Sequence, residues 1–234
     1  MRRTLTAVTV LTFTAAALTG CSGGGKSATA SSAAGQSPQQ LLQTAQTTLN
    51  NTSGVHIKLT SANVPKSGNL LGGEGDGSHA PDFKGTITLQ VLGATLNVPV
   101  IATGGKVWAK TPLSTSMQVI NPSTYGAPDP SVLLSSNGGF SSLLTQTQNP
   151  TFGAKKRDGK DIVQQVTGSL SGQALKLVLA IGNPEATYQV DYEITGGGQL
   201  RTATIDGAFY SGTADTTYTI TLTNYGEKVV VTAP

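Results

Sequence analysis

The sequence predicts an α+β domain built on one large curved antiparallel sheet, with a few short helices over part of its concave face. Apolar and polar residues alternate in about ten short segments after Gly54, and glycine-containing turns separate several of them. Strands that adjoin in sequence through tight turns pair antiparallel, so this pattern indicates a chain of hairpins. Apolar residues at helical spacing occur only in a few short stretches, so the helices are expected to cover part of the sheet.

A sheet of this size is expected to curl, and short helices leave part of its concave face uncovered. Large aromatic side chains that could fill the gap are scarce, at 5% of residues. The concave side is therefore either an apolar cavity lined by valine, leucine and isoleucine or a closed core filled by small side chains. The alternation by itself does not decide between these two arrangements.

The first helix is predicted to begin at Ser37. Ser37 can cap the helix, Pro38 suits the first helical position, and Gln40 completes a capping box. An apolar stripe follows at helical spacing, and the Asn50-Asn51 pair with Gly54 ends the helix. The stripe consists of Leu41, Leu42, Ala45 and Leu49.

The remaining elements follow from the change in apolar period and from turn residues. Tight turns are predicted at Gly93-Ala94, Gly104-Gly105 and Asp158-Gly159. Residues 61–82 hold many Gly, Asn, Ser and Asp and are predicted to be a mobile insertion. Two short helices are predicted near residues 130–135 and 139–146, and residues 173–175 either begin a helix or lead into a strand at 176–181. The strands are predicted near 55–59, 87–91, 96–100, 107–110, 151–157, 161–167, 176–181, 188–194, 200–205, 218–223 and 228–232.

The N-terminal residues have the order of a secretory signal. Arg2 and Arg3 precede an apolar stretch over residues 5–18, which is too short for a bilayer-spanning helix of roughly 20 residues. The Leu18-Thr19-Gly20-Cys21 sequence that follows is a lipobox pattern, in which the Cys21 thiol takes a diacylglycerol. We therefore expect a signal peptide at 1–20, a lipidated flexible tether at 21–36 and a single domain at 37–234.

Composition narrows the class of partner. Loss of Arg2 and Arg3 with the signal would lower the formal charge from +3 to +1, so nucleic acid is disfavoured as a partner. Cys21 is the one cysteine of the chain, so no intramolecular disulfide can form. Acylation would explain why an exported protein contains a single unpaired cysteine. The fold must be held by its core, which about 200 residues can supply.

The sequence shows no catalytic or metal-binding constellation. His56 and His79 have no Cys, His or acidic partner at metal-ligand spacing, so no zinc site is predicted. The serines of the 168–172 segment do not form a nucleophile elbow, and no phosphate-binding loop occurs. We therefore predict no enzyme, no catalytic residues, no metal and no cofactor.

The C-terminal run over residues 222–232 contains the stretch Tyr-Gly-Glu-Lys-Val, and it is preceded by distinctive segments at residues 104–108, 130–144, 157–159 and 168–174. Taken in their order along the chain, these segments resemble the LppX/LprA/LprF/LprG family of mycobacterial lipoproteins, whose chains close with an aromatic-Gly-Glu-Lys-Val stretch. Residues 61–82 depart from the resemblance because they are longer and richer in glycine. The resemblance implies a half-barrel of antiparallel sheet with helices across its concave side.

The resemblance implies an apolar cavity that holds the acyl chains of large cell-envelope lipids. It implies a carrier that moves lipids or lipoglycans across the periplasm, or that loads a membrane exporter. The protein is then expected to be a monomer, held on the extracytoplasmic side of the cell membrane by lipidated Cys21. The expected cavity lining is Ile57, Leu59, Ile87, Leu89, Val91, Leu96, Val98, Val100, Leu133, Phe140, Leu143 and Leu144.

A second hypothesis is a structural or signalling lipoprotein with a filled core, which binds a protein partner through its sheet edge or helices. An enzyme is the third hypothesis, and the absence of a catalytic constellation disfavours it. The first two hypotheses differ in one observable, which is whether the isolated domain carries lipid.

Overall fold

Eleven strands of the described residues form one open antiparallel sheet in the computed structural model. The structure describes residues 35–66, 70–111, 114–125 and 127–234, so the predicted signal peptide, Cys21 and most of the tether lie outside the described residues. The strands are β1 Gly54–Ala62, β2 Leu70–Ser78, β3 Asp82–Val91, β4 Ala94–Thr103, β5 Lys106–Ala109, β6 Gln118–Ile120, β7 Gln148–Asp158, β8 Asp161–Ser171, β9 Thr187–Thr195, β10 Leu200–Gly207 and β11 Thr216–Thr223.

The sheet consists of two meanders joined at its centre. Its order is β6-β5-β4-β3-β2-β1-β11-β10-β9-β8-β7, so strands consecutive in sequence lie side by side except β6 and β7, which form the two edges of the sheet. β1 and β11 join the halves, with Ile57 opposite Leu222 and Leu59 opposite Ile220. The predicted chain of hairpins and the half-barrel fold class are confirmed.

Three α-helices and two 3-10 turns accompany the sheet within the described residues. The α-helices are α1 Pro38–Asn50, α2 Ser141–Gln146 and α3 Gly172–Leu179, and the 3-10 turns are Pro122–Tyr125 and Val132–Leu134. None of these helices has the length and apolar composition needed to span a bilayer. The predicted capping box of α1 is confirmed, since the Gln40 amide donates to Ser37 Oγ at 3.2 Å and the Ser37 amide donates to Gln40 Oε1 at 2.7 Å.

The core is unevenly distributed over the sheet. α1, α2 and α3 pack on the β8–β11 half, where Tyr188, Tyr192 and Tyr218 are almost completely buried. The Phe209 ring lies between Tyr188 and Tyr218, with ring centroids 4.7 and 4.8 Å away. The β3–β5 half has a separate, smaller cluster of buried side chains: Phe83, Val98, Val100, Ala102, Val107 and Ala109. One half of the concave face is therefore filled and the other is only thinly covered.

The predicted mobile insertion at residues 61–82 is wrong, because most of it is strand β2 and the ends of its neighbours. Glu74 and Asp76 point to one face of β2, and on the other face Gly75 lies opposite Gly85 of β3. The Phe83 ring crosses these two glycines, and a Cβ on either would lie 2.7 Å from Phe83 Cζ. These glycines allow the Phe83 ring to pack closely on the sheet. A prediction from turn propensity alone mistakes this glycine-rich strand for a loop.

Gly75→Ala is expected to destabilise the domain by about 2 kcal/mol, which lowers the melting temperature by about 5 °C. The new Cβ would lie 2.5 Å from the Lys84 carbonyl oxygen and 2.7 Å from Gly85 Cα, and backbone atoms cannot yield cheaply. Gly196→Ala is the matched control, because a Cβ there meets nothing within 4 Å. Thermal melting of both variants checks this, and equal melting temperatures would contradict the close packing of β2.

Two predicted strands are also wrong. Residues 176–181 are not a strand, because α3 begins at a Ser171 cap that accepts from the Ala174 amide and buries Leu175 and Leu179 one turn apart. Residues 228–232 are not a strand either. Both edges of β11 are already paired, and the chain turns away from β11 when the Gly226 amide donates to the Gly54 carbonyl oxygen at 3.0 Å.

Candidate functional site

The thinly covered half of the concave face forms an apolar hollow. It contains about 820 Å³ of space between protein atoms, part of which is open to solvent. The sheet supplies one wall, and the segment between β6 and α2 supplies the other. The lining residues are Leu59, Leu70, Ile87, Leu89, Val98, Val100, Val107, Ala109, Thr111, Ile120, Pro122, Tyr125, Ala127, Pro128, Pro130 and Leu133.

A second hollow continues the first toward β11 and α3. It encloses about 610 Å³, again partly open to solvent. The two share Leu59, Leu70, Pro128 and Leu133, so they form one elongated space along the sheet. The residues that line only the second part are Ile57, Leu134, Phe140, Leu179, Ile181, Tyr218, Ile220 and Leu222.

The lining of both parts contains no charged side chain among the described residues. Tyr218 is the polar side chain of the second part, and its hydroxyl donates to the Leu70 carbonyl oxygen at 2.8 Å and lies 2.8 Å from the Tyr210 hydroxyl. Burial raises the pKa of Tyr218, so this hydroxyl stays neutral. A space lined without charged side chains can hold hydrocarbon, and it offers a polar headgroup no ionic partner.

Eight of the predicted lining positions lie on the hollow. They are Ile57, Leu59, Ile87, Leu89, Val98, Val100, Leu133 and Phe140. The lining residues on β1, β3 and β4 all face the concave side, because side chains alternate between the two faces of a strand. The prediction depended on this alternation.

Four predicted positions do not line the hollow. Leu143 and Leu144 are completely buried, because α2 packs between α1 and the sheet and both side chains belong to the filled core. Val91 is 44% exposed, since β3 extends past the hollow and ends at a hairpin. Leu96 packs beside the β3–β5 cluster, one step outward from Val98, without reaching the hollow.

Sequence reasoning missed part of the lining. Tyr218, Ile220 and Leu222 of β11 alternate as clearly as the predicted residues of β3, so the signal was present. The residues of the covering segment, among them Tyr125 and Pro128, carry no periodic signal, because that segment is irregular apart from two 3-10 turns.

The convex face of β1 and β2 carries a polar cluster. His56 lies opposite Asp76 in the strand pairing, with Nδ1 2.5 Å from Asp76 Oδ1 and Nε2 3.2 Å from Glu74 Oε1. Lys58 Nζ lies 3.3 Å from the same Glu74 carboxylate. The hydrogen bond with Asp76 raises the pKa of His56, against the opposing effect of burial. His56 has no partner at metal-ligand spacing in the sequence, but strand β2, which was predicted to be a loop, brings Asp76 and Glu74 beside it.

This polar cluster does not form a metal site. No group of three or more His, Cys, Asp or Glu side chains within the described ranges has metal-binding geometry. His79 lies apart from the cluster, and its Nε2 is 2.8 Å from the Leu49 carbonyl oxygen at the end of α1. Both histidines therefore have structural hydrogen-bond partners.

The fold and the hollow define a small α+β half-barrel whose concave face keeps an uncharged apolar space. The chain belongs to the LppX_LprAFG lipoprotein family, which it matches over residues 37–231. It is similar to the crystal structure of LprF from Mycobacterium bovis, with 17% identity, a TM-score of 0.70, and coverage of 86% of this chain and 99% of that one.

A second similar structure is that of the Mycobacterium tuberculosis lipoprotein LppX. The two chains share 16% identity with a TM-score of 0.62, over 83% of this chain and 98% of that one. No match is found among curated protein sequences. At these identities the two structures establish the fold, and the family match establishes that the chain is related to lipoproteins.

Proposed function

We propose that this domain binds the acyl chains of a cell-envelope lipid in the elongated hollow and carries that lipid between membranes. The observation that carries the proposal is the continuity of two apolar spaces through Leu59, Leu70, Pro128 and Leu133, with no charged side chain in their lining. An elongated uncharged space suits a hydrocarbon chain better than a compact polar metabolite.

The energetics support a carrier. An acyl chain outside a membrane exposes apolar surface that costs about 0.8 kcal/mol per CH₂, so it needs a container that excludes water. The hollow supplies such a container without a catalytic group. A polar or glycosylated headgroup would remain outside, because the lining is almost entirely apolar and contains no charged side chain.

The location of the protein and the path of its lipid cargo are also part of the proposal. We assign the protein to the extracytoplasmic side of the cell membrane, anchored through an acyl group on Cys21. Membership of a lipoprotein family and the lipobox at 18–21 support this placement. The cargo is a long-chain lipid or glycolipid, which the domain either carries across the periplasm or delivers to a membrane exporter.

Mass spectrometry of organic extracts tests the proposal directly. The full chain carrying Cys21→Ala, which cannot be acylated there, is purified without detergent and extracted. We expect long-chain lipids in near-stoichiometric amount, and uptake of a fluorescent fatty acid by the delipidated protein. An empty extract together with no fatty-acid uptake would instead favour the protein-binding hypothesis.

A further inference from the structure

The β3–β4 hairpin ends in an unusually apolar tip. Val91 pairs with Ala94 as the last pair of the two strands, so the turn consists of Leu92 and Gly93 alone. The Leu92 side chain is fully exposed, at 103% of its reference area. Single exposed apolar residues are common on proteins, but a leucine at the apex of a hairpin projects away from every neighbouring element.

The local conformation does not account for leucine at this position. Leu92 has φ +50° and Gly93 has φ +81°, the left-handed region in which two-residue hairpin turns favour Asn-Gly, Asp-Gly or Gly-Gly. A leucine there has a conformational cost and makes no compensating contact in the folded chain. Its side chain is therefore available for a partner outside the domain.

The tip is continuous with the wall of the hollow. Ile87, Leu89 and Val91 follow one another on the concave side of β3, and Val98 and Leu96 do so on β4. Exposure rises outward along this row, from 8% at Val98 to 44% at Val91 and then to the fully exposed Leu92. An apolar path therefore leads from the interior of the hollow to the outermost point of the hairpin.

The hairpin is also free of charge. No Asp, Glu, Lys or Arg occurs from Gly85 to Gly105, between Lys84 and Lys106. Surfaces that bind another protein usually have polar and charged groups around an apolar centre. An uncharged apolar tip, by contrast, can enter the lipid interface without desolvating an ion. The absence of basic residues means that anionic headgroups are not needed for contact.

We infer that the β3–β4 hairpin tip, Val91 to Ala94, docks on a lipid bilayer surface and that acyl chains pass there between the membrane and the hollow. Leu92 enters the interface, and the row formed by Val91, Leu96 and Leu89 gives the chain an apolar route inward. The docking step stands on the exposure of the tip, and the transfer step rests on the proposed function.

The test compares Leu92→Asn with Val230→Asn in the full chain carrying Cys21→Ala. Val230 is also exposed, at 71%, and it follows β11 at the sheet end opposite to the hairpin tip. Three quantities are measured: partition to phosphatidylcholine vesicles, the rate at which a fluorescent fatty acid moves from those vesicles to the protein, and its equilibrium binding in vesicle-free buffer.

Leu92→Asn is expected to weaken vesicle partition and to slow transfer, each about tenfold, because a buried leucine side chain is lost from the interface. Vesicle-free binding should stay unchanged, and the melting temperature should not fall, since asparagine suits the turn. Val230→Asn should change none of these quantities. Partition should be equal for neutral and anionic vesicles.

Unchanged partition and transfer in Leu92→Asn would overturn the inference. So would partition that depends on anionic lipid, or a Leu92-dependent self-association seen by sedimentation, which would assign the tip to a second copy of the chain. If the parent chain binds no fatty acid in vesicle-free buffer, the proposed function fails, and the partition measurement still decides whether the tip docks.

Discussion

Val98→Trp, made in the full chain carrying Cys21→Ala, is expected to abolish lipid binding while changing the melting temperature by less than about 2 °C. Val98 faces the concave side of β4 and lines the larger part of the hollow. The indole ring would occupy space that the acyl chain needs. In a filled core the same change would overpack the site and cost about 1–3 kcal/mol, which lowers the melting temperature by several degrees.

Two control variants receive the same new side chain in different surroundings. Leu143→Trp places the ring in the filled core under α1, where Leu143 is completely buried, so the melting temperature should fall by about 5 °C or more. Ile162→Trp places it on an exposed position of β8 that lines neither part of the hollow, so lipid content should be retained. Extractable lipid and thermal melting are measured for all three. A large fall in melting temperature for Val98→Trp, with no lipid in its parent, would show a filled core.

The elements that sequence reasoning located are those whose signal is local. The capping box at Ser37 and Gln40 specifies the start of α1 from four consecutive residues, and the apolar stripe of α1 determines which face is buried. Alternation in β3 and β4 likewise identifies the concave face from the strand alone. These signals need no knowledge of what packs against them.

The parts that were missed depend on contacts between segments distant in sequence. β2 has no apolar alternation, and its strand conformation follows from pairing with β1 and β3 and from the Phe83 ring over Gly75 and Gly85. Leu133 and Leu144 belong to neighbouring predicted helices with similar apolar character. Leu133 lines the hollow, whereas Leu144 lies in the core. The difference arises because α1 covers α2 and leaves the 3-10 turn at Val132–Leu134 over the open half.

Cys21→Ala is expected to abolish incorporation of labelled palmitate and to leave an unprocessed or soluble form of the protein. The thiol of Cys21 is the one nucleophile in the Leu18-Thr19-Gly20-Cys21 sequence that can take a diacylglycerol, and no second cysteine can replace it. Ser22→Ala is the matched control, because it changes the neighbouring residue and leaves the thiol intact. Metabolic labelling followed by membrane fractionation measures both variants.

The anchor and the hairpin tip are expected to contribute differently to membrane attachment. An acyl group on Cys21 would hold the chain at the bilayer whether or not the hairpin tip touches the surface. Cys21→Ala should therefore remove this attachment while leaving lipid binding by the folded domain intact. Equal palmitate labelling of Cys21→Ala and the parent protein would contradict acylation at this residue.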